Sequence, residues 1–180
     1  MLPYYKNILL VSGNGRNVGK TTFTCKLIEQ FSHLGIIAVK VSPHWYTFDS
    51  KDKILHLEDK LLVMEETNTE RNKDSARMLR VGAGKVYYIQ SPYDKSLEKA
   101  FRLILDTEGH KQPMVFESAA LGKFMKPAFH FHINRQLKKG DKVQQTHSPV
   151  DFRLDFDGFE FSFNTGLIHW QKGSWHVSAP

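Results

Sequence analysis

A chain of 180 residues is about one domain's worth of sequence, long enough to bury a core without disulfide or metal staples. Its 41% hydrophobic and 24% charged residues exclude a disordered, collagen-like or coiled-coil chain. The single cysteine, Cys25, excludes an internal disulfide and a cysteine-based zinc cage, and the net charge of +6 favours phosphate-bearing partners without pointing to nucleic acid.

In chain order, Lys6 to Val11 is a short apolar run that stops at Gly13 and reads as a buried strand. Lys20 to Leu34 reads as a helix, with Phe23, Leu27, Phe31 and Leu34 on one face and Gly35 placed to end it. Ile36 to Val41 is a second buried strand, stopped by Ser42-Pro43. Residues 44–60 carry no clear period, and Lys60 to Glu66 reads as a strand. Asn72 to Gly82 reads as a helix capped by Asn72 or Asp74. Lys85 to Gln90 is a strand, Asp94 to Asp106 a helix, Gln112 to Glu117 a strand, and Pro127 to Ile133 another. Strands separated by helices of this length predict a parallel sheet.

From about residue 136 the composition changes, and 138–149 reads as a polar loop. Beyond it Phe152, Leu154, Phe156, Phe159, Phe161 and Phe163 alternate with polar residues around a turn at Asp157-Gly158. Leu167 to Trp170 and Ser174 to Val177 read as a second hairpin. These antiparallel elements, about 150–178, are too small to stand alone and are expected to pack on a main unit of about 6–135 within a single domain spanning 1–180. No apolar run reaches the ~18–20 residues of a membrane span, the first residues lack the pattern of a signal peptide, and a cytoplasmic location is expected.

The strongest motif is Ser12-Gly13-Asn14-Gly15-Arg16-Asn17-Val18-Gly19-Lys20-Thr21-Thr22, set between the first strand and the first helix. Glycines let backbone N–H groups turn toward a phosphate, and the helix N-terminus adds its own N–H groups and dipole. Lys20 is expected on the β- and γ-phosphates and the Thr21 hydroxyl on Mg²⁺. Residues 13 to 22 are thus expected to form a Walker A-type nucleotide site. Glu117 ends an apolar strand, where ligands of open α/β sheets bind, and is expected to hold Mg²⁺ or orient water. Lys40, at the end of the second strand, faces the γ-phosphate or an anionic substrate, or else is simply solvated. His44, Asp49 and Asp52 follow it in a polar loop. His130 and His132 point to one face of a strand and read as packed or hydrogen-bonded rather than metal-bound. Cys25 reads as a small buried residue.

The Gly13-x5-Gly19-Lys20-Thr21 spacing with Val18 before the glycine resembles the loop of the dethiobiotin synthetase-like branch of P-loop proteins. The likeness is closer to the molybdopterin-guanine dinucleotide biosynthesis protein B family. Lys40-Val41-Ser42-Pro43-His44, Lys73-Asp74-Ser75-Ala76-Arg77 leading into Val81-Gly82-Ala83-Gly84, and Val115-Phe116-Glu117-Ser118 resemble further segments of that family. The resemblance covers about residues 6–135, and the hairpins from Asp151 onward have no counterpart in it. It implies a three-layer α/β P-loop NTPase with a mostly parallel sheet, here extended by C-terminal antiparallel hairpins. It also implies a dimer, slow Mg²⁺-dependent GTP or ATP hydrolysis in cofactor biosynthesis, and substrate or switch roles for Asp74 and Arg77. The alternatives are an ATP-dependent ligase acting on a small molecule near Lys40 and His44, and a partner-binding adaptor that holds nucleotide without turnover.

Overall fold

The computed structural model describes residues 1–49, 52–134 and 148–179. An eight-stranded sheet is built from β1 (Tyr4–Gly13), β2 (Ile37–Ser42), β3 (Lys53–Glu58), β4 (Leu61–Glu65), β5 (Lys85–Gln90), β6 (Met114–Glu117), β7 (Lys126–Asn134) and β8 (Phe152–Asp155). Their order is β3-β4-β5-β2-β6-β1-β7-β8. The run from β5 to β8 is parallel, and β3 and β4 add an antiparallel edge. The helices are α1 (Lys20–Gln30), α2 (Asp74–Arg80) and α3 (Asp94–Glu108). A separate antiparallel hairpin, β9 (Ile168–Gln171) and β10 (Ser174–Val177), closes the chain. No described helix is long and apolar enough to cross a membrane.

Strand alternation sorts the interior into two cores. Leu9 and Val11 of β1 pack with Phe23, Leu27 and Ile28 of α1, Met78 of α2, and Ile168 and Trp175 of the hairpin. Ile8 and Leu10 point the other way, onto Leu97, Phe101, Ile104 and Leu105 of α3. A strand buried on both faces must be apolar at every position, which is why β1 reads as a continuous hydrophobic run. Each such side chain contributes about 1.5–3 kcal/mol through burial. The hairpin is fastened to β1 by the Trp175 indole N–H, which donates to the Asn7 carbonyl at 2.9 Å.

Several expectations need correction. The first helix stops at Gln30, and Ser32–Leu34 tightens into a 3-10 turn ended by Gly35 at φ +64°. The N-cap of α2 is Lys73 and no side chain caps it, because the Asp74 carboxylate is drawn to Lys40 instead. The unassigned stretch 44–60 contains β3. The first C-terminal hairpin is reduced to one bridge, Phe156 to Phe161, and its leading strand β8 extends the main sheet in parallel beside β7. Alternating Phe marks a face but does not name the neighbouring strand. The polar loop expected over 138–149 lies mostly outside the described residues.

Candidate functional site

β1 ends at Gly13, and the loop that follows enters α1 at Lys20. A side chain at Gly13 would lie 2.7 Å from Val18 Cγ2 and 2.9 Å from the Ile133 carbonyl, so the turn closes only around glycine. Gly19 caps α1 with φ +101°. No side chain caps this helix, which leaves its first N–H groups and positive dipole end for a ligand. The Asn14 N–H donates to the Ile133 carbonyl at 3.1 Å, holding the loop to the end of β7.

Lys20 folds back so that its ammonium donates to the Gly15 carbonyl. Burial lowers its pKa below the ordinary lysine value, against the opposing pull of Glu117. Arg16, Asn17 and Thr22 are exposed, whereas Gly15 and Val18 are buried. The Arg16 guanidinium lies 2.5 Å from His44 Nε2, across from the end of β2.

Beneath the loop lies a charged network. Thr21 Oγ1 donates to Glu117 Oε2 at 2.8 Å, and Lys40 Nζ donates to Glu117 Oε1 at 2.5 Å. The same ammonium lies 2.9 Å from Asp74 Oδ2, and Arg77 stands 3.8 Å from the other Asp74 oxygen. Lys40 and Glu117 are direct partners in the β2–β6 register, so the sheet itself sets their meeting. Burial works against the charge on Lys40, but Glu117 and Asp74 outweigh it and raise its pKa. Burial likewise works against the Asp74 carboxylate, and Lys40 outweighs it, holding the acid below its usual range. Lys20, Thr21, Lys40 and Glu117, singled out from sequence, thus converge on one place, with Asp74 beside them.

The oxygen donors fit Mg²⁺, which keeps several waters and takes one or two carboxylates plus phosphate oxygens rather than a closed protein cage. Among the described residues no three His, Cys, Asp or Glu side chains gather as such a cage. Thr21 and Glu117 are the residues that would hold the ion, with Asp74 adjacent.

The paired histidines meet at the end of β1. Ser12 Oγ lies 2.6 Å from His130 Nε2 and 2.8 Å from His132 Nδ1. His130 Nδ1 lies 3.0 Å from the Pro149 carbonyl, which can only accept, so the neutral ring donates there and accepts from Ser12. Burial pushes His132 down to about 4, with Arg153 adding to the effect. Cys25 is buried and its thiol is pushed up to about 11 by that burial, which leaves it unsuited to nucleophilic attack. Asp52 pairs with Arg71, which also lies 3.7 Å from Glu66, and Asp49 donates its N–H to Asp52 at 2.9 Å.

One contact had no single-residue signal in the sequence. The Phe156 ring leans on the glycine loop, so that a methyl group on Gly19 would lie 2.6 Å from its Cδ1. The regular Phe spacing marked the segment as apolar, but nothing local says which loop it covers.

No protein-family profile matches the chain, and no curated protein sequence matches it. In structure it is similar to LpxK from Aquifex aeolicus, crystallised as an "apo" form in complex with ATP, with a TM-score of 0.54 and 12% sequence identity. The likeness covers 92% of this chain and 53% of that one, so this chain spans about half its length. What the two share is an α/β fold, in this chain built on a mostly parallel sheet.

Proposed function

We propose that this chain binds a nucleoside triphosphate with Mg²⁺ through residues 13–22 and cleaves its γ-phosphate. The observation that carries this reading is the convergence of Thr21, Lys40 and Glu117 directly beneath a glycine loop whose helix has no side-chain cap. The loop N–H groups and Lys20 would take the phosphate oxygens once Lys20 releases the Gly15 carbonyl. Bound Mg²⁺ would neutralise charge on the β- and γ-oxygens. Lys40, held beside that position by Glu117 and Asp74, is placed to follow the γ-phosphoryl group as it leaves. Asp74 and Glu117 are the carboxylates available to orient the attacking oxygen.

Two finer readings differ in what receives the phosphoryl group. Water as acceptor corresponds to the slow GTPase helper of molybdenum-cofactor guanylylation. A small molecule as acceptor corresponds to a synthetase or kinase. An open cleft of about 700 Å³ supports the second reading: Thr47, Asp52, Arg71 and Lys73 line it, and Lys73 adjoins Asp74. The ATP bound to the similarly folded LpxK also supports it. A cytoplasmic location fits the supply of nucleotide and Mg²⁺.

The test is a paired titration of fluorescent ATP and GTP analogues with Mg²⁺ on wild type and Lys20→Ala. Tighter GTP binding favours the helper and tighter ATP binding favours transfer to a small acceptor. Absence of binding to both in a folded sample overturns the proposal.

A further inference from the structure

On the nucleotide-binding reading, the metal and γ-phosphate end of the site lies on one flank of β1. Lys40 and Glu117 belong to β2 and β6, which lie on that side in the order β2-β6-β1-β7-β8. A nucleotide anchored by its phosphates at Gly13 to Thr21 would then run its sugar and base toward the opposite flank, over the ends of β7 and β8.

The end of β7 holds both sides of that region. Its Ile133 carbonyl accepts from the Asn14 N–H at 3.1 Å, and its Asn134 carbonyl accepts from the Phe156 N–H at 3.2 Å. β8 runs parallel to β7, and β7 to β1, so the chain leaves β8 at the edge where the phosphate loop sits. There Phe156 packs on Gly19 and stacks on Phe161, with ring centroids 4.4 Å apart. Phe161 in turn meets Phe23, one helical turn beyond Gly19, at 5.0 Å. This pair brackets the start of α1 and projects the turn Asp157–Glu160 beyond the sheet edge.

The turn is rigid and its tip is bare. Asp157 Oδ1 accepts from the Phe159 N–H at 2.7 Å and the Glu160 N–H at 2.8 Å, and Gly158 takes φ +111°. Phe159 is nevertheless 93% exposed. Such an arrangement fixes the backbone under an almost fully exposed ring, at a cost in solvation that a stacking ligand would recover.

We propose that Phe159 is the stacking platform for the nucleobase, holding adenine or guanine over the Phe156–Phe161 turn. The proposal rests on the nucleotide-binding reading above. Stacking uses the face that every base possesses, so it supplies affinity for both purines and leaves their discrimination to other contacts.

The test measures binding of ATP, GTP and inorganic tripolyphosphate, each with Mg²⁺, by calorimetry on the full chain. Phe159→Ala is expected to weaken ATP and GTP alike by roughly 5- to 150-fold and to leave tripolyphosphate unchanged. Phe159→Trp is expected to retain nucleotide affinity, with an emission change on adding nucleotide but not tripolyphosphate. Unchanged nucleotide binding by Phe159→Ala overturns the proposal, as does an equal loss for tripolyphosphate. Trp45, an exposed ring three residues beyond the end of β2, marks the other flank: loss on Trp45→Ala with Phe159→Ala indifferent places the base there and overturns the proposal too. A wild type that binds none of the three probes overturns the nucleotide-binding reading, and this proposal with it.

Discussion

Thr21 Oγ1 donates to Glu117 Oε2 at 2.8 Å, tying the first turn of α1 to the end of β6 across 96 positions of sequence. Thr21 and Glu117 are the side chains that would hold a divalent cation there. Thr21→Val keeps the shape and removes the oxygen. It is expected to cut Mg²⁺-dependent turnover on the order of 10- to 100-fold and to raise the Mg²⁺ concentration needed. A Mg²⁺ titration of phosphate release checks this, and unchanged metal dependence would refute the assignment.

Lys20 is half-buried and its pKa is lowered by that burial. Lys20→Ala is expected to weaken triphosphate binding roughly 10- to 100-fold by removing a charge-assisted contact. Because only the protonated amine helps, wild-type affinity should decline with rising pH sooner than an ordinary lysine would allow. Fluorescent-nucleotide titrations between pH 7 and 10 read both effects, with Lys20→Ala flat over the range.

Glu117 is 2% exposed, and its charge is offset chiefly by Lys40. Lys40→Met strands that carboxylate and is expected to cost about 2–4 kcal/mol of stability. The double variant Lys40→Met with Glu117→Gln should recover much of the loss, since a neutral amide needs no counter-charge. Urea unfolding of wild type, Lys40→Met, Glu117→Gln and the double variant tests the coupling, and simple additivity would contradict it.

The β/α alternation and the phosphate loop were legible because both are local. A glycine-rich turn between an apolar run and an amphipathic helix is written within about 25 consecutive residues. Lys40 and Glu117 were legible by position, since Glu117 ends β6 and Lys40 lies two residues before the end of β2, in one parallel sheet. The α2 cap was misread because Asp74 answers to Lys40, 34 positions away, rather than to its own helix. The pairing of β8 was misread because a period of two is the same in an antiparallel hairpin and at a parallel edge.

His132 has an ordinary value of 6.5 when unfolded and about 4 when folded. Between those values the unfolded chain binds more protons, so stability is expected to fall as pH drops from 6.5 toward 4. His130, lowered in the same direction by burial, adds to the slope. His132→Asn can keep a donor toward Ser12 Oγ while removing one titration. Its denaturation midpoint should fall less steeply over this window, and an unaltered slope would rule His132 out as a source.

Gly19→Ala meets two obstacles, a φ of +101° and the Phe156 ring 2.6 Å from the new carbon. A loss of about 2–4 kcal/mol is expected from the combined strain and crowding. Adding Phe156→Ala should relieve the crowding but not the backbone strain. Thermal melts of the single and double variants should therefore show partial rescue, and full rescue would locate the cost in the ring alone.

The contact between Gly19 and Phe156 also has a meaning in time. The ribosome delivers the glycine loop more than a hundred residues before the aromatic turn that leans on it. At ~5–20 residues per second this gap is on the order of ten seconds. During that interval the nascent loop carries its glycines and Lys20 without the cover that later rests on Gly19. The final shape of the loop thus waits on a segment made well after the loop itself.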